Sequence, residues 1–154
     1  MDPDKDFLAL DHQVCFALYA VNRAVTARYR PLLAELDLTY PQYLVMLVLW
    51  EQDQAGQVCC VSDLGKRLRL DSGTLTPLLK RMEARGLIER QRSLSDERVV
   101  TLPLTAAGRA LRERAQEIPE QLLCGLDIAP ERLTALREEL RSLLSCLDGP
   151  APSG

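Results

Sequence analysis

Aromatic residues are scarce in this chain, with two Phe, four Tyr and one Trp among 154 residues, so a grouping of tyrosines would stand out. Long apolar runs are missing as well. The longest, residues 43–50, is far too short to span a bilayer. The opening MDPDKDFLALD is acidic and has no basic n-region, so it is not expected to act as a secretion signal. There is no regular cysteine pattern: five cysteines, an odd number at irregular spacing, do not make a disulfide framework. A cytoplasmic location is expected, where such thiols stay reduced until something oxidises them. His12 is the one histidine. The adjacent Cys59 and Cys60 therefore have no partners for a zinc site, and no metal or cofactor is expected. No internal repeat is visible, and low-complexity sequence is confined to the tail GPAPSG within residues 148–154, which are expected to be disordered.

The chain suits one domain or a small domain with dimerising extensions, and its 47% hydrophobic content is enough for a packed core. The formal charge of −3 argues against a nucleic-acid partner when read globally. Locally the sign reverses. Residues 61–100 hold nine Lys/Arg against six Asp/Glu, +3 in the middle and −6 elsewhere. A basic middle on an acidic scaffold fits a DNA-reading lobe, although a solvated charged face has the same composition.

Periodicity predicts a first helix from about Asp11 to Leu36, kinked or divided by Pro31, and a second capped by Thr39 with Pro41 in its first turn. VSDLGKRLRL (61–70) predicts a short helix with Leu64 and Leu68 inward. After a tight break at Leu70-Asp71, the segment capped by Asp71 and closed by Gly86 predicts another, with Leu75, Leu78, Leu79 and Met82 on one face. Pro77 should bend that helix or delay its start. LIERQ and RVVTLPL predict two short strands joined by a charged tip, residues 92–98. Helix–turn–helix followed by a two-stranded ribbon is a winged helix–turn–helix. Thr105 should cap a long helix to about Cys124, interrupted by Pro119, and Pro130 should open the last. The expected architecture is mainly α with a small β-wing. Residues 39–104 form the DNA-binding domain, and residues 1–38 and 105–147 supply dimerisation helices.

Cys15 lies four residues after Asp11, which reads as a helix N-cap, and so falls in or just past the first turn. There the helix dipole favours anions and thiols tend to ionise. Tyr19 and Tyr29 share its face. Tyr29 is 14 residues on, about 21 Å along a helix at ~1.5 Å per residue, and cannot reach Cys15 of its own chain. If it serves this thiol, it comes from a second subunit. The alternative is an inert cysteine on an apolar core stripe.

VSDLGKRL, the ARGLIER junction and the wing tip ending in Asp96-Glu97-Arg98 resemble the MarR family of repressors. LTYPQYLVMLVLWE (38–51) and LDSGTLTPLLKRME (70–83) are similar to its OhrR-type sensors of organic hydroperoxides, over nearly the whole chain. The resemblance implies that Cys15 is the peroxidatic cysteine and that Tyr29 and Tyr40 reach it across a homodimer, with Tyr19 a third candidate. It further implies a sulfenic acid resolved by a second cysteine near the C-terminal dimer region, Cys124, with Cys146 the weaker candidate. Apolar neighbours such as Phe16 and Leu8 would favour organic peroxides.

For DNA, Ser72, Thr74 and Thr76 at the start of the recognition helix are expected at base edges of the major groove. Lys66, Lys80, Arg81 and Arg85 are expected at phosphates. Arg98, oriented by Asp96, is expected in an A·T-rich minor groove. Two lobes in a symmetric dimer imply a pseudo-palindromic double-stranded operator. Two other functions remain open on the sequence, a repressor answering to a small phenolic ligand and a thiol peroxidase using Cys15.

Overall fold

Side-chain caps set three of the helix starts, those of the second, fourth and fifth α-helices. Thr39 accepts a hydrogen bond from the backbone N–H of Gln42, and the Gln42 side chain accepts one from Thr39 N–H, a reciprocal capping box with Pro41 in the first turn. Asp71 accepts from Thr74 N–H at 2.7 Å, and Thr105 from Gly108 N–H at 3.0 Å. The computed structural model describes residues 6–150, so residues 1–5 and the tail residues 151–154 lie outside the described residues. The order is a short 3₁₀ turn (Leu10–His12), α1 (Val14–Ala34), α2 (Tyr40–Gln54), α3 (Val61–Leu68) and α4 (Ser72–Ala84). It continues through β1 (Gln91–Arg92), β2 (Val100–Thr101), α5 (Ala106–Ala115), α6 (Ile118–Leu123) and α7 (Pro130–Asp148).

α2 is the central element. Gln42, Tyr43, Val45, Met46, Val48, Leu49 and Trp50 are all buried. Leu33 of α1, Leu64 of α3, Leu75, Leu79 and Met82 of α4, Ile88 and Leu102 at the base of the wing, and Leu111 and Ile118 of α5 and α6 pack with them in one core. Trp50 donates from Nε1 to the carbonyl of Gly108 at 2.9 Å, which ties α2 to α5. The helix–turn–helix break passes through Arg69, whose φ of 59° is left-handed. At the other end of α4, Gly86 takes a φ of +73°, which suits a residue without Cβ.

Several sequence expectations change. Asp11 does not cap α1. It lies in the 3₁₀ turn, and the cap position is Gln13, whose side chain makes no cap bond. α1 runs undivided through Pro31 to Ala34, and α4 begins at Ser72 without the delay expected from Pro77. The strands are only two residues each, paired Gln91↔Thr101 and Arg92↔Val100, with single bridges Ile88↔Leu104 and Cys60↔Thr101. The ribbon is short for a local reason. Arg90 N–H is taken by the Glu83 carboxylate at 2.9 Å, and Pro103 has no N–H to offer. The helix after Thr105 breaks after Ala115 rather than at Pro119, which sits in the first turn of α6, where a missing N–H leaves nothing unpaired.

The chain divides into two compact units between Leu122 and Leu123. In the second, α7 buries none of its residues, and Leu133, Leu136, Leu140 and Leu144 line a shallow apolar groove. No helix among the described residues is long and apolar enough to cross a membrane.

Candidate functional site

Cys15 is the second residue of α1, exposed, with Val14 and Phe16 beside it also exposed. First-turn backbone N–H groups have no partner within the helix, so an anion formed at that sulfur would meet the positive end of the helix dipole. Leu8 and Phe7 precede it on the surface, 92% and 56% exposed, an apolar rim that this chain alone does not cover. His12 is engaged through Nδ1 with the carbonyl of Asp6 at 2.9 Å.

Tyr29 lies near the far end of the same continuous helix, which rules out contact with Cys15 inside one chain. It packs instead on Tyr40, with ring centroids 4.8 Å apart, and on Tyr43 at 5.6 Å. Two of the three tyrosines that the sequence singled out, Tyr29 and Tyr40, are thus neighbours. Burial, with Tyr43 and Tyr40 nearby, pushes the Tyr29 phenol up to about 12, so it stays protonated and able to donate near neutral pH. Tyr43 is the residue that sequence reading passed over. It is 3% exposed, and burial raises its phenol too. Only its place in a run of tyrosines at 40 and 43, facing Tyr29, could have signalled it. Tyr19 stands apart from this group: its hydroxyl accepts from Arg23 at 2.9 Å, and its ring lies beneath that guanidinium.

Cys124 and Cys146 are exposed in the second unit, whereas Cys59 is buried and its thiol is raised chiefly by that burial. Among the described residues no group of His, Cys, Asp and Glu could hold a metal ion.

The second cluster is on the helix–turn–helix and wing. Ser72, Thr74 and Thr76 are exposed in the first turns of α4, whose opposite face carries Leu75, Leu78, Leu79 and Met82 into the core. Lys66, Lys80 and Arg81 are exposed as well. Arg98 extends from the wing with its side chain 90% exposed, and Asp96 receives Nε at 3.1 Å and Nη2 at 3.3 Å. That pairing holds the Asp96 carboxyl below its ordinary range. Arg85 is placed differently from the expectation. It donates to the carbonyls of Asp37 and Leu36 and pairs with the Asp37 carboxylate, so its guanidinium is committed to the turn between α1 and α2. A cleft of about 820 Å³ lies there, lined by Arg30, Tyr40, Arg81 and Arg85 among others.

A family model described as transcriptional regulator SarA/Rot matches residues 27–115. The chain is similar to the organic hydroperoxide resistance transcriptional regulator of Bacillus subtilis (strain 168), with 46% identity covering 96% of this chain and 97% of that one. It is 44% identical to the HTH-type transcriptional regulator TtmR of Methylorubrum extorquens (strain PA1), over 93% of this chain and 75% of that one. Among solved structures it resembles AbfR of Staphylococcus epidermidis at 35% identity and a TM-score of 0.75, covering 92% of this chain and 95% of that one. AbfR has also been solved reduced and bound to DNA (34% identity, TM-score 0.74, coverage 90% and 94%) and in a disulfide form (35%, 0.61, 88% and 93%). With a helix–turn–helix, a short wing and an exposed helix-start cysteine in the same chain, this protein belongs to the MarR-type winged-helix transcriptional regulators, and within them to the organic hydroperoxide regulators.

Proposed function

We propose that this chain is a cytoplasmic DNA-binding repressor that works as a homodimer and leaves its operator when an organic hydroperoxide oxidises Cys15. One observation carries the reading. Cys15 and Tyr29 lie 14 residues apart on the one continuous helix α1, and Tyr40 packs on Tyr29, so within one chain the pair cannot reach the thiol and a second copy is needed to bring them together. The exposed apolar residues of α1 and α7 supply the surface for that copy, in line with dimerisation segments at 1–38 and 105–147 flanking a DNA-binding domain at 39–104.

The Cys15 thiolate attacks the distal peroxide oxygen. The O–O bond breaks, sulfur becomes a sulfenic acid, and the alkoxide leaves as an alcohol after taking a proton. The phenols of Tyr29 and Tyr40 from the other subunit hydrogen-bond the sulfur, and the apolar rim admits an alkyl peroxide. The thiol of Cys124 from the other chain then displaces water from the sulfenic acid, giving an intersubunit disulfide. That bond requires Cα atoms within about 7 Å and would rotate the two lobes out of register with successive major grooves. The chemistry is one turnover per signal, a regulator's use of a thiol rather than a peroxidase's.

On DNA, Ser72, Thr74 and Thr76 would face base edges, Lys66, Lys80 and Arg81 phosphates, and Arg98 the minor groove of a pseudo-palindromic operator. The deciding experiment treats wild type, Cys15→Ser and Cys124→Ser with cumene hydroperoxide. Operator retention and non-reducing electrophoresis are then followed together. Wild type should release DNA and form a covalent dimer, and neither variant should form that dimer. Retention of the covalent dimer in Cys124→Ser would transfer the resolving role to Cys146 or to the Cys59-Cys60 pair. The cleft beside Tyr40 favours one other reading, release by a small phenolic ligand. Salicylate-driven release from Cys15→Ser, with no response of wild type to peroxide, would establish it.

A further inference from the structure

Among the described residues the most exposed large apolar side chain is Leu94, at 107%, on the tip of the wing. A single exposed leucine is ordinary on a protein surface and carries nothing by itself. Its setting is what matters. The tip is bonded within itself: Ser93 N–H donates to the Val99 carbonyl at 2.8 Å, Val99 N–H to the Asp96 carbonyl at 3.0 Å, and the Ser93 and Ser95 hydroxyls meet at 2.9 Å. Arg92 holds the Glu97 carbonyl at 3.3 Å, and Asp96 is occupied by Arg98. The polar groups of the turn are thus largely satisfied locally. Arg92, Ser95 and Glu97 are exposed there too, but Leu94 is the apolar side chain the tip presents outward, and the Arg98 side chain beside it is 90% exposed.

We propose that Leu94 is a minor-groove contact of this protein, an apolar wedge that enters the groove alongside Arg98 and packs on sugars and base edges at a deformable A·T step. The inference rests on the DNA-binding reading above. Arg98 brings charge to the narrow groove, but a charge alone gives little contact with the apolar deoxyribose walls. Leucine supplies that contact, as apolar wedges do in proteins that pry minor-groove steps apart. The step it enters would be a pyrimidine–purine step, the kind that unstacks most easily.

The two side chains make separable contributions. Arg98 displaces counterions, so its loss should flatten the dependence of log affinity on log salt by up to about one per wing. Leu94 displaces none. Taking a fully exposed leucine out of water is worth about tenfold in affinity per wing even when its burial is partial. The probe is a duplex selected from random-sequence DNA by the wild-type protein. Binding is measured by fluorescence anisotropy across a salt series, with end-to-end energy transfer reporting the bend. Leu94→Ser should bind about tenfold more weakly per wing with the wild-type salt slope and a smaller bend, whereas Leu94→Met should bind like wild type. Leu94 is exposed, so Leu94→Ser should melt as wild type does, and a lowered melt would identify a folding effect and overturn the assignment. Leu94→Ser binding within twofold of wild type while Arg98→Ala binds weakly would sink the proposal and leave the wing in the groove. If Arg98→Ala also left affinity and slope unchanged, the wing would not be in the groove at all, and both readings of it would fall.

Discussion

Gly108 is the third residue of α5, a position at which alanine normally stabilises a helix by about 1 kcal/mol. Here the same change should do the opposite. A Cβ at Gly108 would stand 2.1 Å from the Leu87 carbonyl oxygen and 3.1 Å from Leu104 Cδ2, and the first of these is backbone that cannot swing aside. Overpacking of this kind costs about 1–3 kcal/mol, and a rigid obstacle puts it at the top of that range. The Leu87 carbonyl also accepts from Thr105 N–H at 3.2 Å, so moving it away sacrifices a hydrogen bond of about 1 kcal/mol. Against the propensity gain, Gly108→Ala should lose about 3 kcal/mol, which at roughly 2–4 °C per kcal/mol lowers Tm by about 10 °C. Because Trp50 donates to the Gly108 carbonyl, the wing base and α2 should loosen together. Thermal unfolding at a fixed protomer concentration, with near-UV dichroism following Trp50, reads both effects. Gly73 is the control. A Cβ there meets only Asp71 Oδ1 at 3.4 Å, an ordinary contact, so Gly73→Ala should raise stability by about 0.5–1 kcal/mol. An unchanged or raised Tm for Gly108→Ala would refute the packing argument.

Thr39→Ala removes half of the capping box at the start of α2 and should cost about 1 kcal/mol in urea unfolding, with Tyr40 as the first residue to feel it. The Tyr29 phenol is raised from 10.0 to about 12, so the unfolded chain ionises first; its contribution to stability should be complete below pH 10 and drain away between pH 10 and about 12. A tyrosinate absorbance titration in which all four tyrosines ionise together near pH 10 in the folded protein would contradict this. Arg85→Ala should leave the salt slope of DNA binding unchanged, because its guanidinium is held by Asp37 and Leu36; a slope reduced by about one would return Arg85 to a phosphate.

Much of this protein is written in short stretches of its sequence. Thr39, Asp71 and Thr105 cap helices through bonds to residues three positions on, so the pattern that encodes each start contains both partners. The helical spacing of Leu75, Leu78, Leu79 and Met82 likewise determines which face of α4 is buried and leaves Ser72, Thr74 and Thr76 outward. The separation of Cys15 from Tyr29 needs only the helical rise and one unbroken helix. Other features were decided by partners far along the chain. Arg85 finds Asp37 at 48 residues' distance, and Trp50 finds Gly108 at 58. Tyr43 joins Tyr29 because α1 packs against α2. Hydrogen bonds within one turn of helix are fixed by neighbours. An arginine's choice between carbonyl and phosphate, or a tyrosine's between core and cluster, depends on which surfaces folding brings together.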